Sequence, residues 1–164
     1  MTSILFFPPR AFFGKLIAAV SHHAPGVPEV AHVAIVYNDT DIHNFVFEAF
    51  APNGVREGYY TKGQGIKFNI ELDPTKLNQI RQEVNGAKYD WLAYPFLAID
   101  GLFSFFGKSI HRNPFQNKNR WVCSELVAYV IQECAVDPKY VKLIKDGPSC
   151  WSPQRLINTF WGTL

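Results

Sequence analysis

Two runs rich in β-branched and aromatic residues, His32-Val-Ala-Ile-Val-Tyr37 and His43-Asn-Phe-Val-Phe-Glu-Ala-Phe50, flank the turn-forming stretch Asn38-Asp-Thr-Asp41, a pattern that specifies a β-hairpin. Its register decides which side chains meet, because successive residues of a strand point to opposite faces. With Asp39-Thr40-Asp41 as the loop, Asn38 pairs with Ile42 and His32 stands opposite Glu48. Directly opposed residues have Cβ atoms about 4.5–5.5 Å apart, within reach of an imidazole–carboxylate hydrogen bond. Glu48 shares its face with Val46 and Phe50, and a carboxylate in apolar company needs a partner.

The remaining elements point to an α+β chain. Ser3 to Phe7 reads as a short strand stopped by Pro8-Pro9, and Phe12 to Val20 as a short helix. Ile66, Phe68, Ile70 and Leu72 alternate with Lys67, Asn69 and Glu71, the period of a strand with one buried face. Asp73 is placed to cap a helix that begins at Pro74, buries Leu77, Ile80 and Val84, and stops at Asn85-Gly86. Ser124 to Cys134 forms a second helix with Leu126, Val127, Val130 and Ile131 inward, ending before Asp137-Pro138. Trp91 to Phe106 is strongly aromatic without periodicity, and His111 to Arg120 reads as a polar loop.

Composition narrows the function classes. At 164 residues, 48% hydrophobic and 18% charged, the chain suits a single domain, residues 1–164, with its own core. A net charge of +2 from dispersed Lys and Arg gives no support to nucleic-acid binding. Cys123, Cys134 and Cys150 form an odd set without C-x-x-C spacing, which argues against a disulfide framework and a structural zinc site. His22 and His23 lack the spacing to complete a zinc site with a distant Cys, and Gly107-Lys-Ser109 lacks the earlier glycine of a phosphate loop. No cofactor or metal is expected. Pro8, Pro9 and Arg10 interrupt the apolar N-terminus and no charged segment precedes it, so no secretory leader is expected. No run reaches the roughly 20 apolar residues of a membrane span. The expected location is cytoplasmic or virion-associated.

Cys123 follows Trp121-Val122 at the start of the second helix, where unpaired backbone N–H groups and the helix dipole favour a thiolate. Its own N–H can serve an oxyanion, and the His32/Glu48 pair supplies a base whose tautomer the carboxylate fixes. Each residue also has a plainer reading. Free Cys is commonly a buried core residue, as expected for Cys134 and Cys150, while His32 could be a satisfied core histidine and Glu48 half of a structural ion pair. Their coincidence in one chain favours chemistry.

Ala31-His-Val-Ala-Ile-Val36, Val46-Phe-Glu-Ala49 with Gly54-Val55, Gly86-Ala-Lys-Tyr-Asp90, Trp121-Val-Cys-Ser-Glu-Leu-Val127 and Ser152-Pro153 with Leu156 together resemble, in order and spacing, the circularly permuted papain-like cysteine hydrolases of the NlpC superfamily. The likeness is to the YiiX-like group, with lecithin:retinol acyltransferase a more distant relative. It implies a permuted papain-like fold with an antiparallel sheet packed against helices, including one that carries the nucleophile. It further implies Cys123 as nucleophile, His32 as base, Glu48 orienting His32, and Tyr89 beside the thiol helping to hold the oxyanion. The family's opening Gly-Asp is absent, and Trp91–Phe106 has no counterpart in it. The resemblance makes an amide of a peptidoglycan stem peptide the first expected substrate, in a cell-wall or phage-encoded amidase. A lipid acyl hydrolase or acyltransferase, with Trp91–Phe106 contacting lipid or cell wall, is the alternative, and a non-catalytic binding module is the third.

Overall fold

The computed structural model describes residues 2–9, 15, 24–93 and 119–162. Five strands, β1 (Ser3–Phe7), β2 (His32–Asp39), β3 (His43–Phe50), β4 (Gly54–Thr61) and β5 (Ile66–Asn69), form an antiparallel sheet in the order β4-β3-β2-β1-β5. Inside the sheet, β1 is flanked on both sides, and its unbroken apolar run Ile4-Leu5-Phe6-Phe7 is buried on both faces. Among the described residues four α-helices follow: α1 (Pro74–Val84), α2 (Cys123–Cys134), α3 (Pro138–Leu143) and α4 (Pro153–Trp161). A short parallel pair, β6 (Lys88–Tyr89) and β7 (Arg120–Trp121), leads into α2. The architecture is α+β, as the sequence predicts. The expected Phe12–Val20 helix lies outside the described residues, as does Trp91–Phe106 beyond Ala93.

The two faces of the sheet have different work. Ile4, Phe6, Val33, Ile35, Phe47, Ala49, Val55 and Phe68 join the inner faces of α1, α2 and α4 in the main core. On α1 and α2, the buried residues include all those the periodicity selects. Arg81 of α1 clasps the sheet, donating from Nη2 to Glu57 at 2.6 Å and stacking its guanidinium 3.8 Å from the centre of the Tyr37 ring. On the other face Leu5, Phe7, Ala34, Val36 and Val46 form a separate buried cluster.

The helix ends follow local rules. Asp73 accepts from Thr75 N–H at 2.9 Å and from Lys76 N–H at 3.2 Å, ahead of Pro74. Asp137 caps α3, ahead of Pro138, and Ser152 caps α4, ahead of Pro153. The Asp137-Pro138 that ends α2 in the sequence thus also starts the next helix.

The hairpin departs from its predicted register. Thr40 and His43 close the turn: Thr40 N–H donates to the His43 carbonyl at 3.0 Å, and His43 N–H donates to Thr40 Oγ1 at 3.1 Å. Asp39 therefore belongs to β2 and pairs with Asn44, and a bulge between Val36 and Asn38 absorbs an extra residue. Below the bulge Val36 pairs with Val46 and Ile35 with Phe47, a ladder that sets Ala34, not His32, across from Glu48. An even slip keeps every side chain on its predicted face. Three further corrections concern boundaries: Arg120 belongs to β7 and not to a loop, α2 begins at Cys123, and the strand from Ile66 ends at Asn69, leaving Leu72 bridged to Ala135.

Gly54 lets the segment leading toward α2 lie against the sheet. Its φ is +85°, and a Cβ there would stand 2.1 Å from the Ala87 carbonyl oxygen. That contact lets Val55 and Gly86–Ala87 exchange hydrogen bonds of 2.8 and 2.9 Å, which lays β6 beside β4.

Candidate active site

His32 is the first residue of β2, and its ring is held on three sides. It stacks on Phe7 at 5.5 Å and meets the edge of Phe50 at 5.7 Å between centroids. Its Nε2 lies 2.7 Å from Oε2 of Glu48. With Glu48 ionised, Nε2 carries the hydrogen and donates it, which leaves Nδ1 free for a second partner. The predicted pair is therefore made, along a diagonal of the hairpin.

Glu48 is fully buried and makes contacts the sequence reading missed. Arg56, its cross-strand partner on β4, donates from Nε at 3.1 Å and from Nη2 at 3.0 Å to Oε1. Tyr60 donates its hydroxyl to Oε2 at 2.8 Å. Gly58 lies between them on the same face, and even a Cβ there would stay 3.6 Å from Oε1, so the carboxylate has room. Burial alone would raise the Glu48 pKa; the hydrogen bond and charge of His32, with bonds from Tyr60 and Arg56, overcome it and hold the pKa below the ordinary carboxylate value. The signal for these partners was the alternation of Arg56, Gly58 and Tyr60, which places all three on the face of Glu48.

Cys123 opens α2, is 5% exposed, and acts on His32 both as hydrogen-bond partner and as charge. Burial would lower the proton affinity of His32; the charge and hydrogen bond of Cys123, then those of Glu48, outweigh it and push the imidazole up to about 9. The Cys123 thiol and the Glu48 carboxylate thus act on one imidazole.

The start of α2 differs from the other helix starts. Its N-cap is Val122, which brings no side-chain cap, so no cap oxygen occupies the first-turn N–H groups around Cys123. Glu125 accepts from Val122 N–H, the half of a capping box that serves the cap residue itself. Buried at 3% exposure, Glu125 has its pKa pushed up to about 7, with Asp90 adding to the effect of burial against that hydrogen bond. Tyr89 is buried on β6 in register with Trp121, two residues ahead of Cys123. Asp90 N–H donates to the Trp121 carbonyl at 3.1 Å, so the Tyr89–Asp90 segment is anchored to the strand that delivers the thiol. Trp91 and Leu92, next in the chain, are 47% and 58% exposed. Cys134 and Cys150 form no disulfide and are buried in the interior, as expected, and burial pushes the Cys134 thiol up to about 11.

The loop before His32 is fixed from the far end of the chain. Gln154 of α4 is fully buried; it accepts from Val30 N–H at 2.9 Å and donates to the Pro28 carbonyl at 3.1 Å. Replacing it by Leu strands both backbone groups. We expect Gln154→Leu to cost about 2–6 kcal/mol in a urea titration, at about 1–3 kcal/mol for each stranded group. A loss under about 0.5 kcal/mol would show that the loop does not need this anchor.

No family model matches the chain, and no curated protein matches it in sequence. Among the described residues, no group of three or more His, Cys, Asp or Glu side chains could hold a metal ion, and no helix is long and apolar enough to cross a membrane.

Proposed function

We propose that the protein is a cysteine hydrolase of permuted papain-like type that cleaves an amide through a thioester, with Cys123 as nucleophile, His32 as its proton partner, Glu48 orienting His32, and Tyr89 helping to hold the oxyanion. The observation that carries this reading is the arrangement around His32: Nε2 is fixed on Glu48 at 2.7 Å while the thiol at the start of α2 acts on the same ring. In the forward step the Cys123 sulfur bonds to the carbonyl carbon, the carbonyl electrons move to oxygen, and first-turn N–H groups of α2 stabilise that oxyanion. His32 gives its proton to the leaving amine as the C–N bond breaks; it then takes a proton from the water that attacks the thioester, and the acid leaves with Cys123 restored. The substrate proposed first is an amide of a peptidoglycan stem peptide, which rests on the motif resemblance. Exposed Trp91 and Leu92 beside Asp90 favour a lipid acyl group as the second reading.

Competitive alkylation tests the site without a substrate. With limiting iodoacetamide at pH 6, Cys123 is expected to be labelled at least about tenfold faster than Cys134 or Cys150, an advantage lost in His32→Ala. Equal, slow labelling of all three thiols would remove the enzyme reading. Muropeptides and lipid esters assayed side by side then choose between substrates, turnover of lipid alone excluding the amidase.

A further inference from the structure

Glu48 uses its two oxygens differently: Oε2 takes His32 and Tyr60, while Oε1 is gripped by two nitrogens of one guanidinium. We propose that Arg56 is a positioning residue of the site, holding Oε1 so that Glu48 stays a fixed, ionised acceptor for His32. The inference rests on the hydrolase reading and extends it to a residue that does not touch the thiol or the reacting carbonyl.

Arg56 is itself immobilised. It is the register partner of Glu48 on β4, and its guanidinium carbon lies 4.0 Å from the centre of the Phe50 ring, the same ring whose face or edge contacts His32. Phe50 thus braces both the cation and the imidazole. The Glu48 side chain has no solvent exposure, so water cannot replace a lost donor cheaply. Arg56, at 37% side-chain exposure, can keep part of its own hydration while neutralising the carboxylate. Among the described residues, the charged and titratable groups bonded to Glu48 are His32 from β2 and Arg56 and Tyr60 from β4; Cys123 from α2 acts on His32.

Without Arg56, the buried carboxylate loses the guanidinium bonded to Oε1, and protonation becomes the easier way to bear burial. A protonated Glu48 no longer holds His32 in the tautomer that leaves Nδ1 for the thiol. Loss of the cation also removes repulsion on the protonated imidazole. Both ends of the working pH range therefore move upward, whereas a purely structural Arg56 would lower the amount of folded protein and leave the ends in place.

The test follows the Glu48 carboxyl carbon by NMR across pH in 13C-labelled parent, Arg56→Gln and Arg56→Lys proteins, with Cys123 alkylation by iodoacetamide measured in the same samples. Arg56→Gln should move the Glu48 inflection up by about one pH unit and carry the acid limb of alkylation with it, about a fivefold slower reaction at the pH of the parent's half-maximal rate. Arg56→Lys, which keeps the charge and loses the two-nitrogen grip, should shift the same way by less, and decides the matter if the Gln variant does not fold. An unmoved Glu48 inflection, or one that moves while the alkylation limb stays, overturns the inference alone. Slow, equal alkylation of all three thiols in the parent overturns the hydrolase reading and the inference together.

Discussion

Cys123→Ala is expected to abolish turnover of a muropeptide or other acyl substrate, lowering kcat by about 10⁴-fold or more while the protein stays folded. In the proposed mechanism the Cys123 sulfur is the atom that bonds to the carbonyl carbon, and without it no thioester forms. The substitution removes one small buried atom at a helix start, which costs at most about 1–2 kcal/mol of stability. A melting curve close to the parent's, beside a lost activity, separates chemistry from folding. His32→Ala should fall nearly as far and not add to Cys123→Ala in the double variant, because the two act as one unit. Glu48→Gln should lose up to about 10⁴-fold, since the charge that fixes the His32 tautomer is gone while the thiol and the imidazole remain. Turnover in Cys123→Ala within tenfold of the parent would exclude covalent catalysis at this residue. Equal losses in thermal midpoint and activity across all three variants would mean the cluster is structural.

How much of this was legible depends on what each feature is made of. The α1 helix was complete in the sequence because its cap, its apolar spacing and its Asn85-Gly86 stop are all local signals. The face shared by His32 and Glu48 was legible for the same reason, as strand alternation does not depend on the turn. The register was not, because Thr40 closes the turn through its side chain and a bulge between Val36 and Asn38 takes up an extra residue, and apolar alternation shows neither. Strand β4 escaped notice because Arg56-Glu-Gly-Tyr-Tyr60 carries charge and a glycine where a strand usually carries β-branched residues. With β4 went Arg56 and Tyr60, and with them half of what holds Glu48. Gln154 was hidden by distance, since its partners are more than a hundred residues earlier in the chain. The residues proposed for the chemistry were thus nominated by type and spacing, whereas the residues that hold them come from tertiary contacts the sequence does not display.

The pH dependence carries the second large effect. Against burial, Cys123 and Glu48 push the imidazole of His32 up to about 9, so it holds its proton at neutral pH, and in the proposed mechanism it is the acid that releases the amine. Activity should therefore fall on the alkaline side with a midpoint near 9, well above the 6.5 of an ordinary histidine. Cys123 is the larger of the two influences that raise His32, ahead of Glu48. The His32 titration, followed by NMR, should accordingly drop furthest in Cys123→Ala and less in Glu48→Gln, whose remaining activity should show an alkaline limb displaced to lower pH. The sign for stability follows from the same shift. A proton bound more tightly in the folded than in the unfolded chain stabilises the fold fully below about 6.5 and is lost as pH rises through about 9. Glu48 contributes in the opposite sense, present above its ordinary value of 4.5 and lost as the pH falls through its lowered folded value. Against a His32→Gln variant, the parent should hold its largest advantage in thermal midpoint between about pH 5 and 6.5, of several degrees, and lose most of it by about pH 9.5. An alkaline limb near 6.5, with a stability difference that does not change across that window, would mean that neither Cys123 nor Glu48 holds the proton on His32. The thiol would then be an ordinary buried cysteine beside an ordinary histidine.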